Sequence, residues 1–229
     1  MRAQDEQLST SWRRVYDRKT LNTLKWYSTL GEAESSGDVH SLLTFASQDG
    51  RFVLDAPYYD KVFTAGVGDF SLHVFFLDTP TLIRTKKKQN DEQLVWLDQK
   101  LKESNSTVKM VVGFHTPFSD PTLAAFLVPI LEGGDDPNSG SGAAAYFSGR
   151  ERSLQWYKKS KTHYFISGAG AEMLKNENPF INPSYVSPTS GFLACSAGYH
   201  EKTGEPRIKV AFVSSVGEVS KVVDTSSSR

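Results

Sequence analysis

Cysteine is almost missing: the 229-residue chain holds one, Cys195. That excludes an internal disulfide and a cysteine-rich zinc site. Its neighbours Phe192, Leu193 and Ala194 are apolar, so a buried strand thiol is expected rather than a reactive one. No run of 18 apolar residues occurs, which excludes a transmembrane helix. The opening residues, Met1-Arg2-Ala3-Gln4-Asp5-Glu6-Gln7, hold no apolar segment of the kind a secretory signal needs, so an intracellular or organellar location is expected. Asn105-Ser106-Thr107 fits the glycosylation triplet, a pattern that chance supplies often. Net charge is lacking too. Lys plus Arg and Asp plus Glu number 26 each, so nothing overall draws the chain to nucleic acid or to an acidic membrane.

The length, with 12% aromatic residues, fits one α/β domain over residues 1–229 with a packed core. Residues 7–24 read as a helix, with Ser9, Thr10 or Ser11 as cap, Trp12, Val15, Tyr16 and Leu24 near helical spacing, and a solvated basic face at Arg13-Arg14 and Arg18-Lys19. A strand over 25–30 and an acidic loop over 31–37 follow, then a short helix over 40–47. Strands are expected over 61–64 and 72–77, joined by a hairpin-like turn at Gly66-Val67-Gly68-Asp69. His73, on the second, reads as a structural or surface residue. Lys86-Lys87-Lys88 reads as a solvated loop before a helix over 91–103, with Asp91 as N-cap and Leu94, Leu97 and Leu101 on one face. A further helix over 122–131 contains Pro129, which predicts a kink or an early end. Residues 132–142 and 172–190 read as irregular, and strands are expected over 163–166, 191–198, 207–214 and 218–223. Residues 167–171, small and Gly-rich, read as a close-packing turn.

Chemistry concentrates in 109–156. The apolar run Met110-Val111-Val112-Gly113 passes directly into Phe114-His115-Thr116-Pro117-Phe118. A second run, residues 143–147, passes into Ser148-Gly149-Arg150-Glu151-Arg152. Strands that stop at a glycine and release polar residues place them at the carboxyl edge of a sheet, where open α/β proteins keep their sites.

These segments resemble the C-terminal half of the metallophosphoesterases, and among them the tartrate-resistant, purple acid phosphatases. Trp26-Tyr27-Ser28-Thr29-Leu30-Gly31 resembles the run into that family's Gly-Asn-His-Asp; Phe75-Phe76-Leu77-Asp78-Thr79 its Leu-Asp-Thr strand; Gln93-Leu94-Val95-Trp96-Leu97 its Gln-Leu-x-Trp-Leu helix; and residues 164–171 its Ser-Gly-Ala-Gly strand end. The similarity runs over residues 10–215 in the family's order. It implies a β-sandwich flanked by helices, here without the family's N-terminal β-α units, whose Asp-x-Gly and Gly-Asp-x-x-Tyr ligand segments are expected before residue 10 and do not occur there. The family holds two metal ions, such as iron, zinc or manganese.

At the matching positions the ligands have changed. Gly-Asn-His-Asp has become Gly31-Glu32-Ala33-Glu34, and Gly-His-x-His has become Gly149-Arg150-Glu151-Arg152. His115 alone stands where a ligand is expected. Two-metal hydrolysis needs two cations about 3.5–4 Å apart. Arginine carries no acceptor and stays charged, so it cannot be a ligand. The resemblance therefore implies a degenerate phosphatase without metal cofactors. Its vestigial metal-loop positions are Glu32, Ala33, Glu34, His115, Arg150 and Arg152, and a glutamate of 32–34 is expected to pair with Arg150 or Arg152. The expected role is a structural or scaffold subunit with protein partners covering exposed apolar surface; the group includes inactive, membrane-linked scaffolds. Two alternatives stand beside it: residual phosphatase activity through Glu32, Glu34 and His115, and non-hydrolytic anion binding through Arg150 and Arg152.

Overall fold

A computed structural model describes residues 9–16, 21–65, 69–85, 91–134, 141–170 and 182–226. The strands are β1 (Trp26–Tyr27), β2 (Phe52–Val53), β3 (Tyr59–Thr64), β4 (Ser71–Phe76), β5 (Val108–Val112), β6 (Ala145–Ser148), β7 (Leu154–Lys159), β8 (Thr162–Ser167), β9 (Tyr185–Val186), β10 (Gly191–Tyr199), β11 (Pro206–Ser214) and β12 (Val219–Asp224). The α-helices are α1 (Glu32–Ser36), α2 (Val39–Gln48), α3 (Thr79–Arg84), α4 (Glu92–Glu103) and α5 (Pro121–Leu131).

Seven strands form the central sheet, in the order β3-β4-β5-β6-β8-β7-β9. The middle pairs β4-β5, β5-β6 and β6-β8 are parallel, and the outer pairs are antiparallel. The period-2 alternation of side chains gives the sheet two different faces. Phe75, Val111, Tyr146, Tyr164 and Ile166 meet α3, α4 and α5 through Leu82, Leu97, Leu101, Leu127 and Leu131. On the opposite face, Ala145 and Phe165 meet the separate antiparallel sheet β10-β11-β12 at Ile208, Val210 and Phe212. Nearer β3, Val74 and Phe76 on that same face are covered by Leu42 and Ala46 of α2 and by Leu30 and Leu54. The result is a helix-flanked sandwich of two sheets.

Helix α4 forms as its sequence indicates. The Asp91 side chain accepts from the Gln93 N–H, and Leu94, Leu97 and Leu101 are buried. Helix α5 ends at Leu131, two residues past Pro129.

Elsewhere the structure corrects the expectations. Over residues 7–24 the described part is a single π-type turn, Ser9–Arg13, and isolated turns rather than a long helix. Trp12 and Tyr16 there pack with Trp26, Phe45 and Phe52, and Arg13 bonds Asp49 at 2.8 Å while its side chain stays 45% exposed. Residues 17–20 lie outside the described part, as do Gly66–Gly68, Lys86–Lys88 and most of the two stretches read as irregular. Strand β1 is two residues long, because only Phe52 and Val53 offer it a partner. Residues 32–36, expected as loop, form α1. Strand β7 runs where the sequence signalled no strand. Cys195 lies on a strand but is exposed, because β10 is the edge of its sheet.

Candidate functional site

The carboxyl ends of β4, β5 and β6 lead into three loops that meet. After β5 the chain passes Gly113, where a Cβ would lie 2.2 Å from the Tyr146 hydroxyl and 2.8 Å from the Thr79 methyl. Only glycine permits that approach, and the approach lets Tyr146 donate to the His115 carbonyl at 2.7 Å. Thr79, just past β4, receives the His115 backbone N–H at 3.0 Å, and its hydroxyl lies 3.1 Å from His115 Nδ1. Backbone and ring of His115 are thus pinned to neighbouring strand ends, and the side chain is 3% exposed.

The other ring nitrogen faces α1: Nε2 lies 3.2 Å from Glu32 Oε1. That same oxygen is 3.6 Å from Nε of Arg150, which follows β6. One proton arrangement satisfies every atom. The Thr79 oxygen accepts from the His115 amide and donates to Nδ1, which leaves Nε2–H to donate to Glu32. Burial lowers the His115 pKa, the hydrogen bond to Glu32 opposes this, and the Arg150 charge adds to the lowering. The ring is therefore a neutral imidazole at pH 7.

Helix α1 is held by a second set of bonds. The Ser35 hydroxyl donates to Asp78 Oδ1 at 3.2 Å and lies 3.0 Å from the Thr81 hydroxyl. Arg84 donates to the Ser35 carbonyl at 3.1 Å, and the Asp78 side chain caps α3 by accepting from Thr81 N–H. Thr79, Asp78, Ser35 and Arg84 were not among the site residues anticipated from sequence. The first two lie inside the Leu-Asp-Thr match, which signals their presence but not which loop they bind.

Of the anticipated residues, Glu32, His115 and Arg150 come together. Ala33 and Glu34 are exposed on α1. Arg152 is exposed and holds a φ of 41°, a left-handed conformation uncommon outside glycine. Its amide is packed so closely on Gly168 that a Cβ there would stand 2.7 Å away, so residues 167–170 do serve as a close-packing turn. Glu151 has both carboxylate oxygens buried, and burial raises its pKa against the weaker pull of the nearby Thr116 amide, its own amide and the Arg150 charge.

This donor set does not fit two metal ions. The His115 Nδ1 lone pair takes the Thr79 proton, and Nε2 carries its own proton toward Glu32. The Arg150 guanidinium stands 3.6 Å from the Glu32 carboxylate. Among the described residues no group of three or more His, Cys, Asp or Glu is placed to hold a metal ion.

A second polar chain lies away from these loops. His73 Nδ1 is 2.8 Å from the Ser104 hydroxyl, and Nε2 is 2.8 Å from Asp60. The order Ser-His-Asp resembles a nucleophilic triad. Ser104, however, is the C-cap of α4, where carbonyl dipoles disfavour the negative charge that such chemistry develops. His73 is a buried structural tie between β3, β4 and α4.

No protein-family model matches the chain. It is similar to tartrate-resistant acid phosphatase type 5 of Rattus norvegicus, at 24% identity over 222 residues, 88% of this chain and 64% of that protein. The Homo sapiens protein of the same description is 25% identical over 186 residues, 72% of this chain and 55% of its own length. The chain thus spans between half and two thirds of these curated relatives. In structure it is similar to "GAP50 the anchor in the inner membrane complex of Plasmodium", with a TM-score of 0.71 and 19% identity over 97% of this chain and 72% of that one. The resemblance to the purple acid phosphatases and their metallophosphoesterase fold thus holds in sequence and in structure.

Proposed function

We propose that this chain is an acid-phosphatase-like protein that does no metal-dependent hydrolysis and acts as a structural subunit, with protein partners. The supporting observation is the closed chain Thr79–His115–Glu32–Arg150, in which hydrogen bonds and an arginine charge consume the donors that a dinuclear centre would need. Two-metal hydrolysis stabilises attacking and leaving oxygens with fixed cations. Here the Arg150 guanidinium, 3.6 Å from the Glu32 carboxylate, offers that carboxylate a cationic partner in place of a metal. A solved structure of similar fold is described as an anchor, which supports the scaffold role. No helix among the described residues is long and apolar enough to cross a membrane.

The test is direct. Purified chain, supplied with iron, zinc or manganese and dialysed, is expected to retain no stoichiometric metal by elemental analysis and to leave a chromogenic phosphate monoester uncleaved. Bound metal with turnover abolished by His115→Ala would overturn the proposal and favour residual phosphatase activity. Anion binding by Arg150 remains a second reading, since its side chain is 44% exposed. It requires phosphate to raise the melting temperature in wild type and not in Arg150→Ala.

A further inference from the structure

Sheet edges expose unpaired N–H and C=O groups, and proteins blunt them with charge, shortness or bulges. Most edges here are blunted. Strand β3 carries Asp60 and Lys61, β9 is two residues long, and β12 carries Lys221 and Asp224 and meets β11 with a register shift. Strand β10 is the exception. It is nine residues long, Gly191-Phe192-Leu193-Ala194-Cys195-Ser196-Ala197-Gly198-Tyr199, with no charge and no proline, and its nine pairs with β11 run without a shift. Among the described residues no strand pairs with its other edge; only the Gly191 end is covered, its amide donating to the Ala169 carbonyl at 3.0 Å. It also overhangs the core. Cys195 and Ala197 are exposed, while Val210 and Ile208, their partners on β11, are 0% and 1% exposed.

We propose that β10 pairs antiparallel with β10 of a second copy of this chain, about a two-fold axis at Cys195. In that register every pair sets a large residue against a small one or matches two small ones. Phe192 meets Gly198 of the other copy, Leu193 meets Ala197, and Ala194 meets Ser196. Aromatic side chains covering cross-strand glycines stabilise such edges. No charged residue faces another across the seam, and the chain's net charge of zero adds no repulsion. The pairing joins two three-stranded sheets into one of six. The seven-residue seam Phe192–Gly198 is about 24 Å long, and at a depth of about 10 Å it buries roughly 240 Å² per copy. That is below the ~1,000 Å² total of durable complexes, so the dimer is reversible and concentration-dependent. The self-association is independent of whether the vestigial loops hydrolyse anything.

Sedimentation of the full chain tests this. The mass is expected to climb from 25.4 kDa toward twice that value with concentration. A short bis-maleimide is expected to join two copies through Cys195, the one cysteine. Ala194→Lys with Ser196→Lys sets like charges opposite each other and is expected to give monomer. Ala194→Lys with Ser196→Asp sets opposite charges there and is expected to restore the dimer. Both positions are exposed, and an unchanged near-ultraviolet dichroism spectrum certifies each fold. A wild type that stays monomeric at its highest soluble concentration overturns the proposal. So does a dimer that the two-lysine variant leaves intact, or one that the Lys/Asp variant fails to restore.

Discussion

At His115 four contacts converge from three places: two from the Thr79 hydroxyl past β4, one from Tyr146 on β6 and one from Glu32 on α1. The ring's neutrality has a sign that can be checked. Because the folded pKa lies below the ordinary 6.5, the contribution to stability is complete above that pH and is lost as the pH falls. His163 behaves alike: burial first, and the Lys158 charge second, push it down to about 4, and its Nδ1 accepts from Trp156 Nε1 at 3.2 Å. Protonating both opposes the fold from about pH 6.5 downward. Imidazole resonances followed by NMR should titrate below 6.5 for both residues, and Arg150→Ala should move His115 upward while leaving His163 in place. Gly113 makes a second residue-level prediction. Gly113→Ala should destabilise by about 1–3 kcal/mol in denaturant unfolding, because the added methyl overlaps the Tyr146 hydroxyl. The same change in a Tyr146→Phe background should cost less, since the overlapping oxygen is gone.

Among the elements, α4 was the most legible in the sequence. An aspartate cap and leucines at positions 94, 97 and 101 are local signals, and Leu97 became one of the fully buried side chains. Leu97→Ala should therefore cost about 2–5 kcal/mol, whereas Asp91→Ala should cost about 1 kcal/mol, both read from denaturation midpoints. Helix α1 was not legible: five residues, Glu-Ala-Glu-Ser-Ser, are too short and too polar to show a helical period. What holds it is the Ser35–Asp78–Arg84 network, formed with residues more than 40 positions away. Strand β10 misled in a different way. Apolar neighbours around Cys195 look the same in a core strand and in an edge strand, and only the sheet order separates them.

For the whole molecule, six motifs in their proper order were enough to indicate the helix-flanked sandwich, because each marks a strand end or helix that the fold repeats in sequence. The candidate site was half legible. Glu32, His115 and Arg150 could be chosen by position, but Thr79 could not, since a hydroxyl that serves both an amide and a ring is visible only once β4 and β5 lie side by side. The metal-retention and phosphatase assays belong to this scale, as does the sedimentation experiment. They address separate surfaces: the first reads the loops beyond β4, β5 and β6, and the second reads an edge of the other sheet.

The aromatic knot that gathers Trp12 and Trp26 with Tyr16, Phe45 and Phe52 holds half of the chain's four tryptophans. The other two, Trp96 and Trp156, pack against opposite faces of the central sheet. Ultraviolet emission from this protein is therefore a composite of two populations. Detachment of the segment around Trp12 would redden one half of the signal while the other half still reported an intact interior.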